Sequence, residues 1–283
     1  MKITVTGAVG RLGHFVVRAL HAEGHQIVAT DQIYSRDLPV RVEVLNLRDT
    51  DGCYRVVEGS DVLVHLGNQP GVNLFKPQTG YLDNVSANVN VFQAARDTGV
   101  GKILFASSVQ AFSGERCPNV NDGSFPPSQL PYLPLDGHLP ANPGNLYGAS
   151  KIAGENLLAY YAKYCRLSTL AIRFPFLPDP ARAEWELQRV RRGPLLDEGF
   201  SYLALPDAAS LVVAIVKADL PGFRVYLPAS PGTTMSPMTV DEIVARYYPD
   251  VPRRAQSKFD NLVDVSEITR DTGWIPQCRL YGA

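Results

Sequence analysis

At 283 residues, 45% of them hydrophobic and 19% charged, the chain can bury a sizeable core, as one large domain or one and a half, and is too apolar to be disordered. Its 27 basic and 28 acidic residues leave a net charge of -1 with no long run of either sign, so there is no electrostatic footprint for nucleic acid or an anionic membrane. Four cysteines (Cys53, Cys117, Cys165 and Cys278) lie far apart without a CxxC pair, which argues against a metal site and for free thiols in a reducing cytoplasm.

The chain opens MKITVTG and enters a strand pattern at once, so the expectation is a cytoplasmic protein with no signal peptide. No stretch approaches the ~18 apolar residues that a membrane span needs. Short apolar runs at 3–6, 26–30, 42–45, 62–66, 103–106 and 169–172 predict buried strands. Helical spacing fills the gaps at 12–23, 50–58, 81–98 and 146–164; the third of these repeats Val85, Val89, Phe92 and Ala95 at intervals of three and four. Such alternation predicts a parallel sheet with helices on both faces.

Residues 113–143 break the rhythm. They are rich in proline and glycine and carry Phe125, Leu130, Tyr132, Leu133 and Leu135, which suits a lid loop better than a disordered excursion. Beyond Arg173 the spacing predicts short helices at 181–191, 207–217, 240–247 and 265–272, with one strand near 223–227. The expected organisation is a nucleotide-binding domain over 1–173 and a small C-terminal substrate lobe over 174–283, interleaved with the last strands of the sheet.

The first strand runs into TGAVGRLGHFVVRAL, which places Gly7, Gly10 and Gly13 between a strand and a helix. A chain that must turn sharply, bring its backbone against a pyrophosphate and pack a helix on a strand needs glycine at these places, and the helix start offers free N–H groups to phosphate. Asp31 follows at the end of the second strand, 18 residues after Gly13. A carboxylate there accepts ribose hydroxyls and repels a 2′-phosphate, so NAD is preferred over NADP, although Arg11 and Arg36 are basic residues nearby. The plainer reading of Asp31 is a turn or cap aspartate.

Further along, NLYGASK sets Tyr147 and Lys151 four apart at the start of a strong helix, on one helical face. An ammonium beside a phenol stabilises the phenolate and is expected to lower its pKa from about 10 toward neutrality. A tyrosine tuned in this way can take a proton from a sugar hydroxyl while hydride leaves the same carbon. Taken alone, the pair reads equally well as an exposed helical face.

With TGAVGRLG, Asp31, the paired serines of KILFASSVQAFSG and YGASK in this order, the chain resembles the extended short-chain dehydrogenase/reductase superfamily, in its NAD-dependent epimerase/dehydratase group. The resemblance implies a Rossmann fold and makes Tyr147 the general acid/base, Lys151 its electrostatic partner and a serine at the end of the fifth strand the group that polarises the substrate oxygen. It implies cofactor contacts from Gly7, Gly10, Arg11, Leu12, Gly13, Asp31, Leu47, Leu66, Gly67, Asn68, Asn84, Ser107, Tyr147, Lys151 and Arg173. The position that contacts adenine, usually aspartate in this group, falls at Asn46. Counting back from Phe112 selects Ser108 as the polarising hydroxyl, with Ser107 as a backbone-capping neighbour; counting back from Gly114 selects Val109, which has none.

The resemblance also narrows the reaction. Dehydratases of this group carry an acidic pair after the active-site hydroxyl, whereas this chain has Val109 and Gln110, so dehydration is disfavoured. Nucleotide-sugar epimerases grip phosphate with an asparagine and an arginine where this chain has Phe176 and, near the second place, Phe200. RFPFLPDP and SYLALPDAASLV resemble the uronate dehydrogenase branch, although that branch's asparagine and histidine after the serine are missing. Arg182, Arg189, Arg191 and Arg192 are candidate binders of a carboxylate or phosphate, or simply a solvated helix face. The expectation is an NAD-dependent oxidoreductase or epimerase acting on a sugar or nucleotide-sugar, a homodimer with no metal, with a non-catalytic NAD-sensing protein as the reading of another class.

Overall fold

The computed structural model describes residues 1–70, 76–113, 128–190, 196–254 and 261–280. Seven strands form one parallel sheet: β1 (Lys2–Thr6), β2 (Gln26–Asp31), β3 (Val42–Val44), β4 (Val62–His65), β5 (Lys102–Ser108), β6 (Ser168–Phe174) and β7 (Phe223–Tyr226). Their order is β3-β2-β1-β4-β5-β6-β7, so the winding reverses between β1 and β4. In open sheets of this kind a crevice forms at that reversal, outside the carboxyl ends of the strands.

The helices are α1 (Arg11–Ala22), α2 (Thr50–Val57), α3 (Pro77–Asp97), α4 (Leu146–Cys165), α5 (Ala183–Val190), α6 (Leu205–Lys217), α7 (Val240–Tyr247) and α8 (Ser266–Thr272). On one face of the sheet, Ile3, Val5 and Leu104 pack with Val16, Val17 and Leu20 of α1 and with Leu211, Val212 and Ile215 of α6. On the other face, Leu63, Ile103 and Phe105 pack with Val56 of α2, Val91 and Phe92 of α3 and Leu158 of α4. The strands read as near-continuous apolar runs because both faces are covered.

Two elements are longer than their spacing predicts. Helix α3 starts at Pro77 rather than near 81, since proline is tolerated in a first turn whose N–H groups have no intrahelical partner. Strand β5 runs on through both serines, because β6 extends beside it and pairs Ser107 with Arg173 and Ser108 with Phe174.

A third apolar cluster lies beyond the sheet and joins Val109 and Phe112 to Leu130, Leu133, Leu135, Leu196, Phe200 and Ile243. Of the expected lid over 113–143, residues 114–127, Phe125 and Gly114 among them, lie outside the described residues. The part from 128 onward is fastened to the C-terminal segment. Leu133 N donates to Pro252 O at 2.8 Å, Leu135 N to Leu262 O at 2.8 Å, and Asp264 N to Leu135 O at 2.8 Å. Residues after 173 supply both β7 and α6, so the C-terminal portion completes the sheet as well as building this cluster.

Candidate active site

Gly7 follows β1 with φ +68°, and a Cβ there would stand 2.7 Å from the backbone carbon and oxygen of Leu66. A Cβ on Gly13 would overlap the carbonyl oxygen of Gly7. Only glycine lets the β1–α1 turn come this close to the end of β4 and to its own helix. The turn and the first residues of α1 open onto a cleft of about 540 Å³, lined by Gly7, Gly10, Arg11, Leu12 and Gly13.

Asp31, the last residue of β2, lines the same cleft. Its Oδ2 accepts Val9 N at 2.9 Å and its Oδ1 accepts Gln32 N at 2.7 Å. The carboxylate is thus fixed at the mouth of the glycine turn. Arg36 is exposed and does not line the cleft. Arg11 does, but its guanidinium is tied to Glu186 of α5 and to Leu177 O.

The expected adenine position behaves differently. Asn46 is exposed and its Oδ1 caps Arg48 N at 3.0 Å, while Leu45 and Leu47 on either side line the cleft. Alternation along an extended chain turns the two leucines inward and the asparagine outward. Leu45 was missed from sequence for that reason.

Leu66, Gly67 and Asn68 line the cleft after β4. Asn84 stands behind them: its Oδ1 accepts Gln69 N at 2.8 Å and its Nδ2 donates to Gln69 O at 3.2 Å and to Ser150 Oγ at 3.2 Å. It braces the loop against α4 instead of facing the cleft. Arg173 is likewise removed from the cleft. It is buried, forms a two-pronged ion pair with Glu155 at 2.9 and 2.8 Å, and donates to Leu139 O at 2.7 Å.

At the far end of the cleft stand Ser107, Ser108, Tyr147 and Lys151. Helix α4 starts where Asn145 Oδ1 accepts Gly148 N at 2.8 Å, and Asn145 Nδ2 donates to Gln110 Oε1 at 3.0 Å. That cap locks the helix start onto the turn after β5 and brings Tyr147 beside the Ser108 side chain, which acts to lower the phenol's pKa. Val109 is buried in the third apolar cluster, so Ser108 faces the tyrosine and Val109 does not. Ser107 is no backbone cap: its Oγ donates to Glu155 Oε1 at 2.6 Å.

Lys151 is buried, with Nζ donating to Ala106 O at 2.7 Å and to Asn68 Oδ1 at 2.9 Å, and lying 5.3 Å from the Tyr147 ring centre. Burial pulls its pKa down to about 7, against the opposing charge of Glu155. Tyr147 departs from expectation. Burial pushes its phenol up to about 12; the Ser108 hydrogen bond pulls down in part, and the nearby Glu198 carboxylate pushes further up. The ammonium is turned to a carbonyl and an amide and does not dominate the phenol, which is protonated at neutral pH.

Glu198 is a second residue that sequence reading missed. It ends the turn Leu196–Glu198, within electrostatic reach of Tyr147, and Ser113 Oγ donates to its Oε1 at 3.5 Å. Burial raises its carboxyl to about 7, with the Ser113 hydrogen bond opposing and Asp197 adding to the rise. No local pattern announces it: its flanking residues Leu196 and Phe200 join an apolar cluster with Val109 and Phe112, far away in sequence, and its partner Ser113 is equally distant.

Of the candidate anion binders, Arg182 lines a separate cleft of about 460 Å³ with Arg11, His14 and Arg18, away from Tyr147. The side chain of Arg189, and Arg191 and Arg192, lie outside the described residues. Phe200 is buried in the third cluster, and the backbone of Phe176 bridges to Tyr202. Neither phenylalanine can grip a phosphate. Among the described residues no group of histidine, cysteine or acidic side chains could hold a metal ion, and no helix is long and apolar enough to cross a membrane.

A family model described as the NAD dependent epimerase/dehydratase family matches residues 3–177. The chain is similar to a uronate dehydrogenase of Pseudomonas syringae pv. tomato, 28% identical over 186 residues that cover 63% of this chain and 61% of that protein. It is also similar to an L-arabinose 1-dehydrogenase (NAD(P)(+)) of Haloferax volcanii, 30% identical over 177 residues that cover 62% of this chain and 67% of that protein. The matches thus span about three fifths to two thirds of the length of these relatives. Among solved structures, a UDP-galactose 4-epimerase superposes with a TM-score of 0.68 at 25% identity, covering 98% of this chain and 94% of that one.

Proposed function

Because the chain belongs to the NAD dependent epimerase/dehydratase family, we propose that it transfers hydride between NAD and a secondary carbinol or ketone of a sugar, with Tyr147 moving the proton. The observation that carries this reading is the meeting of Ser108, Tyr147 and Lys151 at one end of a cleft whose other end holds the glycine turn and Asp31. The residues fit the cofactor. Side chains at Gly7 and Gly13 would collide with the backbone of Leu66, Gly7 and Ala8 that shapes the turn, and the start of α1 and Asp31 suit pyrophosphate and ribose hydroxyls.

When bound, the oxidised nicotinamide supplies the hydride acceptor and a positive charge of the sign that lowers a phenol's pKa. Ser108 Oγ holds the reacting oxygen beside the tyrosine, a preorganised donor where charge develops. Tyr147, protonated at neutral pH, is ready to donate in the direction of ketone reduction; in the direction of oxidation it must first release its own proton, and the phenolate then accepts the hydroxyl proton. Lys151 places its charge behind the phenol while Asn68 and Ala106 O hold it. NAD is preferred over NADP on the Asp31 carboxylate.

The second reading is a nucleotide-sugar epimerase that returns the hydride to the other face of the ketone; the similarity to a UDP-galactose 4-epimerase supports it, while apolar Phe176 and buried Phe200 weaken it. A panel of aldoses, uronic acids and UDP-sugars separates them. NADH accumulation marks the dehydrogenase, and sugar interconversion without net NADH marks the epimerase. Tight NAD binding with neither would overturn both in favour of a sensor.

The reading keeps 1–173 as the nucleotide-binding domain and 174–283 as the substrate lobe. Composition supports a cytoplasmic location. A homodimer through α3 and α4 is supported by Leu82 and Val89 on one helix and Tyr160 and Tyr164 on the other, all apolar side chains with more than 40% of their surface exposed.

A further inference from the structure

We propose that Glu186 is a positioning residue for the cofactor: it holds the Arg11 guanidinium beside the glycine turn, ready for the pyrophosphate of the dinucleotide, and so makes the segment after β6 part of the cofactor site. The inference rests on the reading of the cleft as the dinucleotide site. Its first support is place. Arg11 is the first residue of α1 and lines the cleft beside Gly7, Gly10 and Gly13. Leu177 lines the same cleft from the segment that leaves β6, and its carbonyl accepts from Arg11 Nη2 at 3.1 Å. In the sheet β1 and β6 are separated by β4 and β5, so this one side chain ties together two walls of the cleft that come from distant strands.

The second support is the anchor. Arg11 Nη2 also donates to Glu186 Oε1, and Glu186 Oε2 accepts Asp179 N at 3.2 Å. The carboxylate is buried, with 5% of its side chain exposed, whereas Arg11 keeps 57% exposed. An exposed arginine samples many rotamers, and fixing it for a ligand has an entropic cost. A buried carboxylate whose second oxygen is already bonded is a fixed point that meets this cost before the cofactor arrives. Glu186 lines the neighbouring cleft and not the cofactor cleft, so its charge stands behind the guanidinium rather than against a phosphate.

The third support is unused hydrogen-bonding capacity. Nη2 serves both Leu177 O and Glu186, while among the described residues Nε and Nη1 have no partner. The remaining N–H groups of the planar fork are the donors that recognise phosphate oxygens. Arg11 can therefore keep its tie to Glu186 and still meet the pyrophosphate. The coupling is reciprocal: if the tie raises affinity for the cofactor, the cofactor tightens the tie by the same factor, and α5 feels an occupied cleft.

The test is equilibrium binding of ADP-ribose, which carries the pyrophosphate without the nicotinamide, against adenosine, which carries neither. In Glu186→Leu, which leaves no buried charge, ADP-ribose and NAD should bind about tenfold more weakly than in wild type while adenosine binds unchanged. Glu186→Gln keeps an acceptor at the same place and should recover most of that loss. Arg11→Met should lose as much as Glu186→Leu or more, and the double variant no more than Arg11→Met, since Glu186 acts through Arg11. In wild type, ADP-ribose should also slow amide exchange in α5 about tenfold, an effect absent from Glu186→Leu. Unchanged or tighter ADP-ribose binding in Glu186→Leu, an equal loss for adenosine, no recovery in Glu186→Gln, a further loss in the double variant, or α5 exchange that ignores ADP-ribose in wild type overturns the proposal. A wild-type protein that binds neither ADP-ribose nor NAD sinks the cofactor reading itself and the proposal with it, so the two failures are told apart.

Discussion

Lys151 Nζ donates to Asn68 Oδ1 at 2.9 Å, and that amide is itself the end of a buried polar chain. Asn68 Nδ2 donates to Asn88 Oδ1 at 2.8 Å; His65 Nε2 lies 2.9 Å from the same oxygen, and His65 Nδ1 2.7 Å from Thr6 Oγ1. Burial pulls His65 down to about 3, so the ring is neutral, and the network assigns its proton to Nε2. Strand β1 thereby orients an amide on the cleft wall, and the amide orients the lysine.

Asn68→Ala should accordingly lower kcat while leaving the fold intact. Losing one hydrogen bond from a charged donor costs about 1.5–3 kcal/mol, or roughly 10- to 100-fold in rate if the bond is retained in the transition state. Steady-state kinetics across pH checks it. The lysine's titration should move along with kcat, whereas a purely structural loss would lower the melting temperature and leave the profile in place.

Tyr147→Phe removes the proton carrier and keeps the ring. Positioned acid–base groups contribute about 10²- to 10⁴-fold, so turnover should fall by at least that much while NAD binds as before. Ser108→Ala should cost about 10²-fold or more through the lost donor at the reacting oxygen. Kinetics and NAD titration of the two variants check this; a near-wild-type rate in Tyr147→Phe would sink the assignment.

The glycine turn, Asp31 and the Tyr147–Lys151 pair were legible because their geometry is local: a turn needing Gly7 and a helix needing two residues four apart announce themselves by spacing. The tertiary arrangement changed what the pair does. From spacing alone, Lys151 should lower the phenol; in the fold its ammonium turns to Ala106 O and Asn68, and burial dominates both groups. Arg173 gave no local sign that it would bind Glu155 on α4, and the hydrogen-bond partner of Glu198, Ser113, is 85 positions away in the chain. Long-range burial was what the sequence could not reveal.

Asp31→Ser should relax the preference for NAD. The carboxylate is fixed by Val9 N and Gln32 N, so its charge stays where a 2′-phosphate would lie. Removing one like charge should raise kcat/KM with NADP relative to NAD by about tenfold or more, consistent with roughly 1.4 kcal/mol for a tenfold change. The ratio measured with both cofactors on one substrate checks it; an unchanged ratio would place the discrimination elsewhere, with Arg11 the next candidate.

Stability should carry the marks of two buried groups, with opposite signs. Glu198, raised from 4.5 to about 7, holds its proton more tightly in the folded chain than in the unfolded one, so its contribution is present at low pH and is lost as pH rises through that interval. Lys151, lowered from 10.5 to about 7, makes the unfolded chain the better proton binder between those values, so its contribution to stability increases as pH rises from about 7 toward 10.5. Each slope is bounded at about 1.4 kcal/mol per pH unit for one proton, and Glu198, being partly open, should fall below that bound. Urea unfolding across the range checks both. Glu198→Gln should flatten the loss between pH 5 and 7, and Lys151→Met should flatten the gain above pH 7. Near neutrality Lys151→Met should also be more stable than wild type while losing turnover, because the buried ammonium is held there for its charge. A less stable Lys151→Met with the wild-type slope would mean that the lysine is charged and fully compensated by Ala106 O and Asn68.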